Sequence, residues 1–393
     1  LYTQVDFSSA FFEAISGFTT TGATVYSDIE SLPKLILFHR SLMHFLGGMG
    51  IIVLGVGLLS IINPTGSLSL FKAESTGISI EKITPKIKDM AISLWGIYLF
   101  LTFIDMLLLH IFGMSWFDAI NHSFSTISTG GFSTKNDSLG HFASNPWIIW
   151  TTTFFMIISG INFLAHLRIF FKDFSGYKRE EIYWYLIIFI VLSLFLTYEH
   201  FYLTKDSFFF SFTHSAFTIA SILTTTGFAT LDYSKWGHVA IAIVFIAMFI
   251  GGNAGSTAGG VKVIRYLILF KTIFAELRRI ISPNILLSIF IDGKKVQNSI
   301  IAAVFGFFFL YILTLSATTL YLFARGYDAL TSISAALAVV GNIGPGFGKV
   351  SPVDNFAFFS WYDKFILSFG MIVGRLECFT VFALFSRWFW KKF

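Results

Sequence analysis

The sequence predicts an all-α polytopic membrane protein with four-fold pseudo-symmetric helix–re-entrant loop–helix repeats around one central pore, the first repeat being incomplete. Three observations support this fold class: an apolar composition, long apolar runs separated by shorter semi-polar stretches, and an internal repeat. The 393 residues are 55% hydrophobic and only 12% charged, whereas a soluble domain of this length needs far more charged surface. We therefore expect this chain to lie in a lipid bilayer.

Long apolar runs predict seven membrane-spanning segments, because about 20 apolar residues are needed for one crossing. The runs cover residues 41–62, 90–112, 147–170, 182–203, 238–274, 299–323 and 365–390. The fifth run is too long for one straight crossing, and its small residues at 251–260 predict a break in the helix at mid-depth. Backbone that is not helical at that depth must be buried in protein or line a wet cavity.

Four shorter stretches between the spans, residues 7–24, 117–134, 208–230 and 329–347, are too short and too polar to cross a bilayer. Each ends in small residues and glycine, which predicts a short helix followed by extended backbone that re-enters the membrane. Loops on the opposite side carry 18 of the 27 Lys and Arg residues. Because cytoplasmic loops are enriched in these residues, we expect the re-entrant stretches and most acidic side chains to lie on the outer side.

The ends of the four re-entrant stretches align with one another. Loop 1 (residues 19–24) reads TTTGAT, loop 2 (128–134) STGGFST, loop 3 (224–230) TTTGFAT and loop 4 (341–346) GNIGPG. Asp6 and Asp328 each precede the aligned glycine by 16 residues, whereas Asp118 and Asp206 precede it by 13 and 21. We therefore expect entry segments of different lengths.

The repeat predicts four segments in the chain: residues 1–87, with a loop and its second helix, 88–180, 181–294, with a broken second helix, and 295–393. A repeat of this period is stronger evidence of architecture than any one motif. The first copy has no span before its loop. We therefore expect a further N-terminal segment ahead of residue 1.

The composition of the loops suits the binding of a dehydrated cation. Rings of backbone carbonyls can replace the water around such an ion without a fixed charge. Glycine permits the positive φ values that turn successive carbonyls toward one axis, and Thr and Ser hydroxyls can satisfy neighbouring backbone groups. Short helices that aim their C-terminal ends at the centre would add their negative dipole ends there.

At these residues the sequence resembles the TrkH branch of the Trk/Ktr/HKT superfamily of potassium transporters. The resemblance rests on the four loops, on the run 251–260 followed by VKVIR, and on GRLE at 374–377, in the expected order over essentially the whole chain. It implies a selectivity filter with one glycine in each loop. Gly130 competes with Gly131 for this role, and the Gly–Phe pair shared by loops 2 and 3 favours Gly131. Glycine in all four loops resembles the potassium-selective members.

The resemblance assigns potassium to backbone carbonyls of the filter. The filter residues that it implies are Thr20, Thr21, Gly22, Thr129, Gly130, Gly131, Thr225, Thr226, Gly227, Asn342, Ile343 and Gly344. It also implies a gate beneath the filter. The gate residues are Gly251, Gly252, Asn253, Ala254, Gly255, Ser256, Thr257, Ala258, Gly259, Gly260 and Arg375.

The resemblance further implies a homodimer in the plasma membrane, the bacterial inner membrane, with lipid around it and one pore per protomer. A cytosolic nucleotide-binding regulatory ring, similar to TrkA, would dock on the basic inner face. Potassium is then the transported ion, with no organic cofactor on this chain, no nucleic-acid partner and no enzymatic activity.

Several alternatives stay open from the residues alone. The loop glycines could serve helix packing, and the run 251–260 could be a passive helix kink. A phosphate-binding loop fits poorly, because Val261 displaces Lys262 from the P-loop pattern and no strand precedes the run. Arg375 could be structural, bonded to backbone carbonyls. A sodium-permeable relative, an ion-coupled symporter and an integral membrane enzyme are the rival functions.

Overall fold

The computed structural model describes residues 5–53, 87–282 and 288–391, which are predominantly helical. In chain order the helices are α1 (Phe7–Phe18), α2 (Lys34–Val53), α3 (Ile87–Ile111), α4 (Trp116–Ile127), α5 (Pro146–Ser159), α6 (Phe163–Phe170), α7 (Glu180–Thr204), α8 (Phe208–Leu223), α9 (Gly237–Met248), α10 (Val263–Ile281), α11 (Asn298–Ala324), α12 (Ala329–Val340), α13 (Trp361–Arg375), α14 (Cys378–Leu384) and α15 (Arg387–Trp390). Strands β1 (Phe290–Ile291) and β2 (Lys294–Lys295) pair antiparallel, with Phe290 opposite Lys295.

Three helices in the described part of the chain are long and apolar enough to cross a membrane alone: Met90–Ile111 within α3, then α7 and α11. Two bent pairs, α5 with α6 and α13 with α14, would each supply one further span. Large apolar side chains on these helices stay exposed, among them Phe195 and Phe309. Their exposure is typical of lipid-facing helices, since lipid is as apolar as these side chains.

The predicted third and seventh spans are not straight, contrary to the sequence-based expectation. The helix axis turns by 96° between α5 and α6 and by 114° between α13 and α14. At the first bend Asn162 accepts a hydrogen bond from the Leu164 amide at 2.8 Å and so starts a new helix. At the second bend Glu377 adopts a φ of 63°. Apolar composition alone predicted neither break, because only one or two residues cause each of them.

The predicted fifth span is interrupted where the sequence predicts it, since α9 ends at Met248 and α10 begins at Val263. The two ends of the interruption meet in a parallel bridge between Ile250 and Val261, with the Gly251 amide donating to the Val261 carbonyl at 2.8 Å. The residues between them, 249–262, therefore leave the helix axis and return to it; we call this segment the intramembrane loop. The predicted first span, 41–62, begins in α2 and ends outside the described residues.

The chain closes on itself, because its first described helix packs against its last long one. The ring of Phe11 in α1 lies 5.1 Å from that of Phe365 in α13. Nearby, the buried Lys364 ammonium donates to the Ser9 hydroxyl at 2.8 Å. The short helices α4, α8 and α12 each fold back on the long helix that precedes them. This arrangement brings the C-terminal ends of four short helices together.

Candidate functional site

Each of the four short helices α1, α4, α8 and α12 ends in the same backbone geometry. In loop 1 the Thr20 amide donates to the Gly17 carbonyl at 3.1 Å and the Thr21 amide to the Ser16 carbonyl at 2.9 Å. These two bonds form a Schellman motif, which needs a left-handed residue just past the helix. That residue is Thr20, Thr129, Thr225 or Asn342 in turn, with φ between 51° and 56°.

Two residues further on, each loop has a glycine with positive φ. The four are Gly22 at 80°, Gly131 at 84°, Gly227 at 85° and Gly344 at 95°. Residues with a side chain rarely adopt this conformation, so glycine is required here. Gly130 does not have a positive φ. The backbone therefore gives Gly131, and not Gly130, the same conformation as the glycines of the other loops.

The four glycines pack so closely on neighbouring loops that the loops form a closed ring, which we call the four-loop ring. A Cβ atom on Gly22 would lie 2.1 Å from a carbonyl oxygen of loop 2, on Gly131 2.0 Å from one of loop 3, on Gly227 2.1 Å from one of loop 4, and on Gly344 2.6 Å from one of loop 1. The oxygens belong to Gly130, Thr226, Ile343 and Thr21, each of which precedes a ring glycine. All four glycines also line one cavity.

The number of residues between the start of each short helix and its ring glycine is more regular than the positions of the acidic residues predicted. Ser115, and not Asp118, is the N-cap of α4, since its hydroxyl accepts from the Asp118 amide at 3.1 Å. Asp6, Ser115 and Asp328 therefore all lie 16 residues before their ring glycine. The prediction of a shorter entry in the second copy is wrong, because a serine caps that helix. In the third copy Ser207 caps α8, which has 16 residues where the other three short helices have 12.

The intramembrane loop touches the ends of the short helices beneath the four-loop ring. The Gly259 amide donates to the Thr225 hydroxyl at 2.6 Å. The Thr257 hydroxyl donates to the Ile127 carbonyl, at the end of α4, at 2.9 Å. A Cβ on Gly259 would lie 2.8 Å from the Gly341 carbonyl at the end of α12. The loop thus contacts three of the four copies at once.

The bend between α5 and α6 holds the intramembrane loop from the side. The Asn253 amide donates to the Gly160 carbonyl at 2.8 Å, and the Phe163 amide donates to the Gly255 carbonyl at 2.9 Å. The buried carboxylate of Glu181 accepts from the Ala254 amide at 2.7 Å. It also accepts from the Ile264 amide at the start of α10, at 3.3 Å. Backbone groups freed by broken helices are therefore satisfied by one another and by one carboxylate.

Arg375 is the last residue of α13 and reaches the intramembrane loop. Its Nη1 donates to the Thr257 carbonyl at 2.8 Å, while Nε and Nη2 have no hydrogen-bond partner among the described residues. Gly374 brings the backbone close, since a Cβ there would lie 2.0 Å from the Val340 carbonyl. The guanidinium is thus buried next to the loop with two donor groups to spare, which is an expensive arrangement inside a membrane.

Glu377 does not pair with Arg375. Its carboxylate accepts from Arg265 in α10 at 2.8 Å, and the Arg265 guanidinium lies 3.9 Å from the centre of the Phe307 ring. This ion pair joins the second half of the broken third-copy helix to the bend between α13 and α14. Arg375 is consequently left to interact with the intramembrane loop.

Three charged residues of the site were not singled out from the sequence: Glu13, Arg40 and Glu181. Glu13 and Arg40 are both buried and form an ion pair at 2.7 Å. Arg40 also lines the cavity of the ring glycines and lies 4.0 Å from the centre of the Phe132 ring. Glu13 could have been noticed, because an acid inside a short apolar stretch of a membrane protein is costly unless it has a role.

Two acidic residues of the predicted outer side, Asp6 and Asp328, are the N-caps of short helices. The Asp6 carboxylate accepts from the amides of Ser8 and Ser9 at the start of α1, and hydrogen bonds from these serines lower its pKa to about 2. Hydrogen bonds from Thr331 likewise lower the pKa of Asp328. Both groups therefore stay ionised at neutral pH.

The described residues offer one further group with metal-ligand chemistry. Glu30, Asp137 and His141 have ligand atoms within 4.8 Å of one another, and all three are exposed. Exposed groups of this kind are common on solvated surfaces, so we assign them no role.

Comparison with known proteins agrees with this architecture. The family model of TrkH, described as a cation transport protein, matches residues 2–183 and 182–392. The Trk system potassium uptake protein TrkH of Salmonella typhimurium is 40% identical over 98% of this chain and 80% of its own length. TrkG of Escherichia coli, also named a Trk system potassium uptake protein, is 37% identical over 99% of this chain and 80% of its own length.

A solved structure gives the same result at the level of the fold. The crystal structure of the potassium transporter TrkH from Vibrio parahaemolyticus superposes with a TM-score of 0.87 at 37% sequence identity, covering 98% of this chain and 80% of that one. The family match extends over essentially the whole chain, and this helical membrane protein therefore belongs to the TrkH family of cation transport proteins.

Proposed function

We propose that this chain takes up potassium through the four-loop ring, which acts as its selectivity filter. The observation that carries the proposal is the closed cycle of contacts, in which the carbonyl before each ring glycine lies against the glycine of the neighbouring loop. A single chain thereby surrounds one axis with backbone oxygens, as a carbonyl filter requires. The relatives named above are potassium uptake proteins, which supports potassium as the ion.

The proposed selectivity resides in backbone oxygens, with Thr and Asn side chains in supporting roles. The Thr19 hydroxyl bonds the Thr21 hydroxyl at 2.8 Å, and the equivalent pair in loop 3, Thr224 and Thr226, does so at 2.7 Å. In loop 4 the Asn342 amide group donates to the Thr21 hydroxyl of loop 1 at 3.0 Å. These bonds engage hydroxyls with one another and with a side-chain amide, which supports the assignment of ion binding to the backbone carbonyls.

We further propose that the intramembrane loop and Arg375 form the gate. The loop lies against the ends of three short helices, and Arg375 brings a buried positive charge beside it. A positive charge below the filter raises the barrier for cations. A conformational change that breaks the bond from Arg375 to the Thr257 carbonyl would move the loop and the charge together.

The proposal includes the setting of the protein. The four-loop ring faces the outside of the bacterial inner membrane, and the chain forms a homodimer with one pore per protomer. A cytosolic nucleotide-binding regulatory ring docks on the inner face. The names of the relatives, which describe a Trk system, support a partner in general.

Flux through liposomes tests the proposed function. The purified chain is reconstituted alone, and the uptake of potassium and sodium is measured at equal gradients, with and without a proton gradient. We expect potassium to enter faster than sodium without need of protons. Equal rates for the two ions would contradict potassium selectivity, and strict dependence on protons would contradict a channel-like pore in favour of a symporter.

A further inference from the structure

We propose that one buried side chain of each short helix is a positioning residue for the four-loop ring. The residues are Glu13 in α1, His122 in α4, His214 in α8 and Ser334 in α12. Glu13, His122 and His214 each lie seven residues after the N-cap of their helix, and Ser334 lies six after its own. The inference rests on the proposed function, because it concerns how the filter holds its shape.

Each of these side chains bonds the segment that follows the ring glycine. Glu13 accepts from the Thr24 hydroxyl and the Val25 amide, both at 3.0 Å. In the fourth copy the Ser334 hydroxyl accepts from the Phe347 amide and donates to its carbonyl, both at 3.0 Å. The bonded residue lies two or three positions past the glycine, so these contacts fix the far side of the ring.

The second and third copies use an imidazole for the same purpose. Nε2 of His122 lies 2.9 Å from the Ser133 hydroxyl, and its Nδ1 lies 2.8 Å from the Asp118 carbonyl. Because a carbonyl can only accept, Nδ1 carries a proton, and in a neutral ring Nε2 accepts from Ser133. In the third copy Nδ1 of His214 lies 2.8 Å from the Thr230 hydroxyl.

The ring therefore has two layers of support. The Schellman motifs fix the residues before each glycine, and the four side chains fix the residues after it. Removing one side-chain bond would loosen the spacing of the carbonyls without removing any of them. Since discrimination between potassium and sodium depends on the number and spacing of these oxygens, the loss should appear in the ratio of the two fluxes more than in their sum.

Thr230→Val tests the inference with the smallest change, because valine keeps the shape of threonine and lacks its hydroxyl. We expect the potassium-to-sodium flux ratio in liposomes to fall by roughly threefold to tenfold, as the net strength of one hydrogen bond suggests. His214→Leu should lower the ratio by a similar factor. The double variant should lower it little further, because both changes remove the same bond.

Rescue and control variants separate positioning from a general structural effect. His214→Asn, unlike His214→Leu, should keep the parental potassium-to-sodium flux ratio. The side-chain amide of asparagine can take the position of Nδ1 and bond the Thr230 hydroxyl. Thr153→Val is the matched control: Thr153 is buried, and its hydroxyl bonds the Ile149 carbonyl of its own helix at 2.7 Å. The ratio of this control should equal that of the parent.

The outcomes are distinct for the two proposals. A parent chain without preference for potassium overturns the proposed function and this inference with it. A selective parent whose Thr230→Val and His214→Leu variants keep the parental ratio overturns the inference alone. An equal fall of the ratio in Thr153→Val also overturns it, since the effect would then not depend on the ring.

Discussion

The four-loop ring and the intramembrane loop both depend on glycine, yet they are held in place by different means. In the ring, two backbone hydrogen bonds per copy lock the residue before the glycine, and the glycine itself touches the next loop. The intramembrane loop has no such repeat: single backbone bonds tie it to the bend between α5 and α6. Three side chains of separate elements hold it as well, namely the Thr225 hydroxyl, the Glu181 carboxylate and the Arg375 guanidinium. The ring is thus held by one backbone geometry repeated in all four copies, with one side-chain contact added in each, and the intramembrane loop by single contacts to several separate elements.

This difference fits the proposed gate, because it would allow a fixed part and a movable part to be made from similar residues. A backbone geometry repeated four times around a closed ring leaves no single contact whose loss would release it. A loop held by a few side chains can change position when one of them moves. The comparison predicts that substitutions of the ring glycines abolish transport, whereas substitutions around the intramembrane loop modulate it.

The largest effect is expected from alanine at a ring glycine. In Gly22→Ala, Gly131→Ala or Gly227→Ala the new Cβ would lie 2.0–2.1 Å from a neighbouring carbonyl oxygen, and the left-handed backbone would be strained. We expect potassium uptake in liposomes to fall by about a hundredfold or more, since each 1.4 kcal/mol is a factor of about ten.

Gly96→Ala in α3 is the control for these variants, because Gly96 is exposed and a Cβ there meets nothing within 4 Å. It should transport like the parent. Gly344→Ala should be the mildest of the ring substitutions, since its Cβ would lie 2.6 Å from the Thr21 carbonyl oxygen, farther than in the other three. Normal selective uptake in Gly131→Ala would contradict the proposal that the four-loop ring is the selectivity filter.

The next effect is expected at Arg375 and has the opposite sign. Arg375→Ala removes both the buried positive charge and the bond to the Thr257 carbonyl. We expect potassium uptake to rise roughly tenfold, which corresponds to a barrier for the cation lowered by about 1.4 kcal/mol when the like charge is removed. The measurement is initial uptake in liposomes at matched protein density.

Arg375→Gln distinguishes the charge from the hydrogen bond, because glutamine has a side-chain N–H donor and no charge. If the charge forms the barrier, the glutamine variant should show the raised uptake of the alanine variant. If the bond to the Thr257 carbonyl holds the loop, the glutamine variant should keep the low parental uptake. Unchanged uptake in a folded Arg375→Ala protein would instead assign Arg375 a structural role and remove it from the gate.

Composition and periodicity predicted much of the fold, because bilayer solvation dictates both. The re-entrant stretches, the break in the fifth span and the repeat follow from apolar length and from glycine. The bends at Asn162 and Glu377 do not follow from apolar length or from glycine, because the first depends on a helix cap and the second lies at a tertiary ion pair. Hydropathy averages over many residues and cannot detect an interruption of two or three.

The candidate site was predictable in its backbone and not in its side-chain support. Gly131 could be preferred over Gly130 from the Gly–Phe pair alone, and its φ of 84° agrees with that preference. The role of Glu181 could not be predicted, since its partners Ala254 and Ile264 lie more than 70 residues away in sequence. The N-cap of the second copy, Ser115, was not predicted, because the copies were aligned on acidic residues and Asp118 lies in the first turn of the same helix.

A smaller effect is expected from Glu181, which anchors the intramembrane loop to α7. Glu181→Ala leaves the amides of Ala254 and Ile264 without this acceptor in a buried site. We expect the free energy of unfolding to fall by about 1–3 kcal/mol, measured as a lower melting temperature in detergent micelles. Glu276→Gln is the control, because the pair of Glu276 and Arg279 is exposed and should contribute little. Equal stability of Glu181→Ala and the parent would mean that other contacts hold the loop.

The smallest effect concerns Asp6, which begins the helix that enters loop 1. Hydrogen bonds from Ser8 and Ser9 lower its pKa from 3.8 to about 2, so folding favours the charged form. Its contribution to stability is therefore complete above about pH 4 and is lost as the pH falls through 2.

Asp6→Asn should accordingly unfold at a slightly lower temperature than the parent, by a margin that stays constant from pH 8 to about pH 4 and shrinks at lower pH. Asp206→Asn provides a comparison, because Asp206 is exposed and Ser207, not Asp206, caps α8. A margin for Asp6→Asn that changes between pH 8 and pH 5 would contradict the pKa assignment. A margin of zero at neutral pH would mean that an uncharged asparagine caps α1 as well as the carboxylate does, so that the N-cap of this helix acts through its hydrogen bonds and not through its charge.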